Sequence, residues 1–307
     1  MLSYIVRRIA AMIPILLLVS IVIFLFIRIL PGDPARLVAG EDASAETVAL
    51  VRAELGLDQP IVRQYLIYMG KLFQGDFGYS YRSHKPVAEL MANRIVPTAQ
   101  LAFSALIWAA LVGIPLGVFS AINRGRWLDR SIMVVSVSGI SIPAFWLGIL
   151  LVQFFCVRWG LLPSGGYGGV RNIVLPSLTL GAHVVATMAR FGRNSLLETL
   201  RQDYVRTARA KGAREWQVIL KHALRNALIP IVTMSAMQLG FMLGGSVVVE
   251  SVFAWPGVGR LLIASVTERD YPVIQACMLL FSFTFLFINM VTDLMYAIIN
   301  PQIRLDS

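Results

Sequence analysis

The chain is poor in charge and in the residues that form disulfides or bind metals. Charged residues make up 14% of its 307 positions, with only two cysteines and three histidines. Cys156 and Cys277 lie in apolar stretches without a CxxC spacing, which gives no support for a disulfide framework or a zinc site and favours packing roles for both. The histidines have no carboxylate or cysteine at ligand spacing. We therefore expect this chain to bind no metal.

Catalytic and nucleotide-binding motifs are also missing. The sequence contains no HExxH, no GxSxG and no GxxxxGK[ST], the motifs of zinc proteases, serine hydrolases and P-loop NTPases. We therefore expect no catalysis by this chain. Its net charge of +10 is typical of nucleic-acid binding too, but the basic residues cluster in loops between apolar stretches. Membrane topology explains that pattern, so no nucleic-acid partner is expected.

Long apolar stretches dominate what is present. Hydrophobic residues make up 57% of the positions and the mean hydropathy is +0.71, values typical of an all-α protein that crosses a membrane several times. The first stretch is longer than the apolar part of a cleavable signal peptide, so we expect it to remain as a span. Stretches of about 20 apolar residues predict six transmembrane helices at 9–30, 98–122, 131–157, 173–191, 226–249 and 272–299.

The distribution of charge predicts the topology. Nine Lys or Arg residues but only three acids lie between Arg190 and Arg225, and loops rich in Lys and Arg face the cytoplasm. Both termini are then cytoplasmic, whereas the charge-balanced region after the first span is extracytoplasmic. The predicted organisation is a transmembrane helix (1–30), a small extracytoplasmic helical cap (31–95), a core (96–300) with a cytoplasmic loop (192–225), and a cytoplasmic tail (301–307).

Two helices are predicted within the cap. Ser44 is a typical N-cap for a helix that ends at Gly56, and Asp58 with Pro60 is a typical start for the next. We favour packing of the cap helices on the ends of the spans over a substrate-binding surface, because an apolar stripe needs a partner. The stripe of the second helix consists of Ile61, Tyr65, Tyr68 and Leu72.

Glycine and proline are spread through the predicted spans. Small residues let helices approach closely in lipid, and proline opens the hydrogen-bond ladder of a helix. We expect tightly packed spans with kinks at proline. The residues concerned include Gly113, Pro115, Gly117, Pro143, Gly148, Gly240, Gly244 and Gly245.

The basic loop has the pattern of a helix, a turn at Gly212 and a second helix from Arg214 to Asn226. The small side chains of the first helix would let it seat in a groove of a partner protein. The helix would then transmit the partner's movement to the spans that it joins. An amphipathic helix lying on anionic headgroups is the alternative. The small residues are Thr207, Ala208, Ala210 and Ala213. The expected common face of the second helix consists of Trp216, Ile219, Leu220 and Ala223.

Few polar residues lie inside the spans. Glu250 is at the outer end of the fifth span, where it either binds a substrate ammonium or solvates the helix end, and we favour the second. His183 is expected to form a hydrogen bond between helices rather than to relay protons. For Asp293, a functional role as an acid within the membrane and a structural role in a salt bridge are equally well supported.

Eight segments together identify a family. The sequence resembles the permease subunits of bacterial ABC importers of the dipeptide, oligopeptide, nickel and glutathione group, most of all the glutathione-importing branch. The resemblance covers nearly the whole chain and implies the type I ABC importer permease fold. The segments are LPGDPARL (from Leu30), LGLDQP (Leu55), QGDFGYS (Gln74), GISIPAFWLG (Gly139), LPSLTLG (Leu175), DYVRTARAKG (Asp203), HALRNALIP (His222) and WPGVGR (Trp255).

The resemblance implies that the basic loop couples the chain to a cytoplasmic ATPase. In the wider importer superfamily this loop begins with Glu-Ala-Ala and has a glycine six residues after the glutamate. Here Gly212 is retained, but Arg206 stands at the glutamate position and Arg225 replaces the proline of a later Leu-Pro pair. The implied coupling residues are Arg206, Thr207, Ala208, Arg209, Ala210, Lys211, Gly212, Ala213 and Trp216.

A translocation path and a set of partners are implied as well. WPGVGR would belong to an external loop that dips toward the path, although its Pro and Gly residues are equally typical of a buried tight turn. The implied partners are a homologous second permease, two cytoplasmic ATPase subunits, an extracytoplasmic binding protein and membrane lipid. ATP and Mg bind to the ATPases, so this chain carries no cofactor. The expected path residues are Gly244, Gly245, Ser246, Glu250 and Trp255.

The expected function is ATP-driven import of a dipeptide, an oligopeptide or glutathione across the bacterial inner membrane. Nickel import is the nearest alternative within the family. A secondary transporter is less well supported, because His183 and Asp293 are few groups for ion coupling and no internal repeat is evident.

Overall fold

A computed structural model describes residues 2–29, 33–40 and 42–299. The predicted tail 301–307 and Leu30, the end of the first predicted span, lie outside these ranges. Within them the chain is helical, and the one β-type contact is an antiparallel bridge between Tyr79 and Pro86.

Helices of the described chain are separated by short connections. Two π-helical segments, Val152–Arg158 and Val218–Ala223, follow α7 and α10. The α-helices are α1 (Leu2–Ile29), α2 (Pro34–Ala39), α3 (Ala45–Glu54), α4 (Ile61–Phe73), α5 (Val87–Ile122), α6 (Trp127–Ser141), α7 (Ala144–Leu151), α8 (Val170–Thr199), α9 (Asp203–Ala210), α10 (Glu215–Gln217), α11 (Leu224–Val252), α12 (Val258–Glu268) and α13 (Tyr271–Ile299).

Five helices of the described chain are long and apolar enough to cross a membrane, namely α1, α5, α8, the continuous helix Glu215–Val252, and α13. The pair Trp127–Ser141 and Ala144–Arg158 is bent by 102° and makes a sixth crossing if it is one span. The third predicted span is therefore two helices. Pro143 explains the break, because proline lacks an N–H and disfavours helical geometry in the residue before it. That residue, Ile142, is extended, with φ −80° and ψ 121°.

Several helices are longer than the apolar stretches that predicted them. α5 begins at Val87 instead of residue 98 and has 36 residues, a length of about 54 Å at 1.5 Å per residue. The hydrocarbon core of a bilayer is only about 30 Å thick, so the polar ends of α5 project beyond it. Apolar stretches thus identified the spans without fixing where their helices end.

The chain forms two compact units. Unit one consists of Met1–Thr98 and Pro256–Leu286, and unit two of Ala99–Trp255 and Phe287–Ser307. Both cysteines pack in cores, as predicted. Cys277 is fully buried in unit one, and Cys156 packs against the largest core cluster of unit two.

In unit one, the cap helix α4 packs against α1. The hydroxyls of Ser20 and Tyr65 form a hydrogen bond of 2.8 Å, and the Tyr65 ring meets Phe24 edge-on with 5.2 Å between ring centroids. Arg28 donates from Nε and Nη2 to Gln64 Oε1, at 3.0 and 2.7 Å. These contacts confirm the prediction that the stripe of α4 packs on a span.

The starts of the cap helices differ from one another. Ser44 caps α3 as predicted, accepting a hydrogen bond of 3.2 Å from the backbone N–H of Thr47. α4 begins after Pro60 without a side-chain cap, so Asp58 does not have the capping role that the sequence indicated. Pro60 is itself the N-cap residue, with the φ of −54° that its ring fixes.

In unit two, α8 is the most buried of the candidate spans in the described chain. Of its apolar stretch of 18 residues, 61% is buried inside the structure. Glycines bring α5 close to it. A Cβ on Gly117 would lie 2.7 Å from the carbonyl oxygen of Ala189, and one on Gly113 would lie 2.9 Å from that of Val185. A larger residue at either glycine would force the helices apart, which confirms the predicted close packing.

Candidate coupling surface and path face

The predicted helix, turn and second helix are present in the basic loop. α9 has Asp203 in its first turn, where a negative charge complements the helix dipole. It ends at Ala210, and Gly212 follows with φ +81°, a left-handed conformation that favours glycine. The second helix then begins at Glu215. Gly212 thus forms the predicted turn.

One face of α9 is fixed to the long helices of unit two. Val205 is fully buried, and Ala208 and Ala213 pack against the same cluster. Complete burial of a valine side chain stabilises a protein by about 2 kcal/mol, so this face holds α9 in place. The buried members of the cluster are Ala121, Leu196, Val205, Val218, Ala223 and Ala227.

The opposite face of α9 is exposed. We name it the coupling surface, and it consists of Arg206, Thr207, Arg209, Ala210, Lys211 and Gly212. The sequence pattern placed Ala208 and Ala213 on a partner-facing side as well, but both are half-buried against the chain's own core. These two residues therefore position the loop and do not form its outer surface. Trp216, 58% exposed, remains accessible.

The expected face of the second helix is wrong in its details. Trp216 and Leu220 are 58% and 53% exposed, whereas Val218 and Ala223 are fully buried. The reason is the π-helical segment Val218–Ala223, in which backbone hydrogen bonds join residues five apart instead of four and the turn is wider. A face drawn with the α-helical repeat of 3.6 residues misses this shift.

Two side-chain contacts connect α9 to the helix that follows. Arg209 donates from Nε and Nη2 to the Glu215 carboxylate at 3.1 and 2.7 Å, and the hydrogen bond with Glu215 raises the pKa of the Arg209 guanidinium. Asn226 Nδ2 donates to the Tyr204 hydroxyl at 2.8 Å. An exposed ion pair stabilises by less than about 1 kcal/mol, so the arginine contact is a modest brace.

A buried ionic cluster joins α5, α6 and α8 in unit two. The Asp129 carboxylate accepts hydrogen bonds from Arg193 Nε and Nη2 at 2.7 and 2.9 Å, from the Gly125 backbone N–H at 2.8 Å and from the Ser120 hydroxyl. Its side chain is 5% exposed. The sequence reasoning missed this cluster, although a lone acid in a basic connection was a usable signal. The basic neighbours of Asp129 are Arg124, Arg126 and Arg130.

The residues predicted for the path divide into exposed and buried ones. Gly244 and Gly245 are exposed, and an added Cβ at Gly244 would meet no atom within 4 Å. Ser246 and Glu250 are fully buried. The interpretation that Glu250 solvates the helix end is therefore wrong, because its carboxylate does not reach solvent.

Trp255, the remaining path candidate, is 2% exposed and belongs to the core of unit two. Its ring meets Tyr167 edge-on, with 5.0 Å between ring centroids. This packing favours the buried-turn interpretation of the segment that begins at Trp255.

His183 is the one exposed residue of α8 between Asn172 and Ala189. Among the described residues no hydrogen bond reaches its imidazole, so the expected bond between helices is not found there. A Cβ on Gly245 would lie 3.6 Å from Leu180, one turn from His183. Because ionisable side chains within spans avoid lipid, this side of α8 and α11 is a candidate path face.

Comparison with known proteins identifies the chain's relatives. The family described as Binding-protein-dependent transport system inner membrane component matches residues 113–305, and Binding-prot-dependent transport system membrane comp, N-term, matches residues 1–102. Relatives include the Glutathione transport system permease protein GsiC of Escherichia coli (strain K12), at 54% identity over 304 residues, and that of Salmonella choleraesuis (strain SC-B67), at 55%. Each comparison covers 99% of both chains.

Solved structures share the fold. A chain of the MetNI methionine ABC transporter in an inward facing conformation has a TM-score of 0.58 at 22% identity, covering 68% of this chain and 95% of that one. An amino acid ABC transporter with histidines has a TM-score of 0.51 at 18% identity, covering 67% and 92%. The predicted family and type I importer fold are thus confirmed. The chain belongs to the family of binding-protein-dependent transport system inner membrane components and is a multi-pass ABC importer permease.

Proposed function

We propose that this chain forms the translocation path for small peptides, with glutathione as the first candidate cargo, in an ATP-driven importer of the bacterial inner membrane. The observation that carries the proposal is 54% identity over 304 residues to a permease named for glutathione transport. The similarity covers 99% of both chains, so it is not confined to one segment.

The proposed complex contains a homologous second permease, two cytoplasmic ATPase subunits and an extracytoplasmic binding protein. ATP hydrolysis belongs to the ATPases, on which the coupling surface docks. The two-sided character of α9 supports this role. Its outer residues, such as Thr207 and Ala210, are exposed, whereas Val205 is buried among the long helices. A push on the outer face is thereby transmitted to α8 and α11.

The proposed orientation has α9 and both termini in the cytoplasm and the cap outside. The excess of nine basic over three acidic residues between Arg190 and Arg225 supports it.

The proposed path face combines the exposed sides of α8 and α11. Phe241 and Val248 are 64% and 44% exposed, at spacings that place them on the same side as Gly244. His183 supplies the polar group on this face. Together with the matching face of a second permease it would enclose the path, which a single chain does not surround.

The mechanism is a population shift between inward-facing and outward-facing packing. ATP binding closes the ATPase pair, α9 moves with it, and the buried contacts of Val205 carry the movement into the bundle. The ion pair of Asp129 with Arg193 keeps α6 and α8 together during the movement.

The test is uptake by the complete complex in proteoliposomes. We expect ATP-dependent uptake of labelled glutathione, and uptake of nickel instead would contradict the cargo. Ala210→Glu places a charge in the docking surface and is expected to reduce uptake and substrate-stimulated ATP hydrolysis about tenfold or more. The matched control is Ala53→Glu on an exposed position of α3, expected to have no effect. Unchanged coupling in Ala210→Glu would contradict the docking of α9.

A further inference from the structure

A cavity of 320 Å³ in unit one, lined by both polar and apolar residues, lies between the end of α1, the cap helices and the start of α13. It shares no residue with the coupling surface or the path face. Segments that carry the family resemblance form part of its wall, and neither proposed role uses them. LPGDPARL contributes Asp33 and Pro34, LGLDQP contributes Leu57, and Tyr81 follows QGDFGYS.

Two buried polar atoms on the wall of this cavity have no hydrogen-bond partner among the residues that the structure describes. Tyr271 is 4% exposed, and its hydroxyl makes no hydrogen bond within residues 2–29, 33–40 and 42–299. Gln275 Nε2, one turn further along α13, is also buried and without a partner. Both side chains line the cavity. Buried polar atoms in proteins are almost always paired, so these two are available to a polar group that enters the cavity.

The charges around the cavity favour an anion. Asp33 and Arg52 neutralise each other, with 2.5 Å between Nη2 and Oδ2. Arg28 donates only to neutral groups, Gln64 Oε1 and the carbonyl oxygen of Phe24 at 3.2 Å. Within the described chain no carboxylate forms an ion pair with Arg28. Among the described residues of the wall, Arg28 is thus an arginine without a carboxylate partner.

Asp270, beside the wall residue Tyr271, makes hydrogen bonds elsewhere. Asp270 is buried and accepts hydrogen bonds from the Ser80 hydroxyl, at 2.5 Å, and from the backbone N–H of Tyr81, at 3.0 Å. These bonds fix the segment that carries Tyr81 against the start of α13. Among the described residues Asp270 forms no ion pair with Arg28.

We propose that this cavity binds a carboxylate, with Arg28 as its counter-charge and the Tyr271 hydroxyl and Gln275 amide as donors. The inference rests on the proposed function, because that orientation places the cavity outside the cell. The carboxylate belongs to a free peptide or to an acidic side chain of the docked binding protein. A volume of 320 Å³ suits either, since small-ligand pockets begin at about 300 Å³.

Tyr271→Phe is the sharpest probe, because it removes only a hydroxyl that has no hydrogen-bond partner among the described residues. In the complete complex in nanodiscs, we would measure the affinity for labelled glutathione without the binding protein, and separately the affinity for the glutathione-loaded binding protein. We expect Tyr271→Phe and Gln275→Leu each to weaken one of these affinities about fivefold, with no loss of thermal stability. The control is Tyr79→Phe, whose side chain is exposed and outside the cavity.

The two measurements distinguish the sources of the carboxylate. If the variants weaken the affinity for free glutathione, and amidating the peptide carboxyls has the same effect, the carboxylate belongs to the free peptide. If they weaken only the affinity for the binding protein, the carboxylate belongs to an acidic side chain of that protein. Unchanged affinities in both variants, or a less stable Tyr271→Phe, would overturn the inference. Glutathione uptake by the unmodified complex tests the proposed function independently of these results.

Discussion

Two ion pairs in unit two have the same shortest N–O distance and very different surroundings. Arg193–Asp129 and Arg209–Glu215 both measure 2.7 Å. The side chains of the first are 21% and 5% exposed, and those of the second 41% and 58%. Burial, not distance, decides what each pair contributes, because solvent screens an exposed pair and a buried charge depends on its partner.

The difference matches what each pair connects. The buried pair joins α6 to α8 and, through Ser120, to the end of α5. The exposed pair only spans the turn after α9. We infer that the first maintains a rigid frame, whereas the second lets the coupling surface adjust when a partner binds.

The largest effect is expected from Asp129→Asn. It leaves the partly buried Arg193 guanidinium without its counter-charge, which we expect to reduce the free energy of unfolding by about 3–5 kcal/mol. Thermal unfolding of the purified chain in detergent measures this. The double variant Asp129→Leu with Arg193→Met, which removes both charges, should regain part of the loss. A single variant as stable as the natural protein would contradict the rigid-frame account.

Val205→Ala tests the buried face of α9. Removing two methyl groups from a closed cluster should reduce the free energy of unfolding by about 1–2 kcal/mol. It should also weaken the link between ATP hydrolysis and uptake, measured in the same preparation. Val62→Ala is the control, since Val62 is 70% exposed and should change stability by less than about 0.5 kcal/mol. Equal effects at the two valines would show that α9 is not held by Val205.

Gly212→Ala tests the turn. No atom lies within 4 Å of the added Cβ, so the expected destabilisation of about 1 kcal/mol comes from the left-handed backbone alone. Gly70→Ala, inside α4 and also in open space, should have the opposite sign, because alanine favours helices. Melting temperatures that shift in the same direction would contradict this reasoning.

The smallest effect is expected from Arg209→Gln. Loss of the exposed ion pair should change the free energy of unfolding by less than about 1 kcal/mol, and the change should shrink at high salt. A double-mutant cycle with Glu215→Gln isolates the pair. A coupling energy equal to that of Arg193 with Asp129 would remove the distinction between the two pairs.

Local signals in the sequence predicted local structure well. Ser44 caps its helix, Pro143 breaks one and Gly212 makes its turn, since each acts through the backbone of its immediate neighbours. The family resemblance predicted the fold in a different way. Members of one family share the whole arrangement of helices, so the resemblance predicts that arrangement without any local signal.

Features that depend on distant residues could not be predicted. Asp129 and Arg193 are 64 positions apart, and no periodicity indicates their pairing. The π-helical turn that buries Val218 instead of Trp216 depends on packing against other helices. The exposure of His183 likewise depends on which neighbours cover the rest of α8. Tertiary packing determines these features.

Cross-linking at two alanines tests the central claim most directly. With Cys156 and Cys277 replaced by alanine, Ala210→Cys and Ala208→Cys would be compared in the assembled complex, using a short thiol cross-linker and detecting covalent adducts with the ATPase subunit. Ala210 is exposed on the coupling surface, and Ala208, two residues away, packs inward. The account predicts an ATPase adduct at position 210 and little at 208. An adduct at 208 alone, or at neither position, would contradict it.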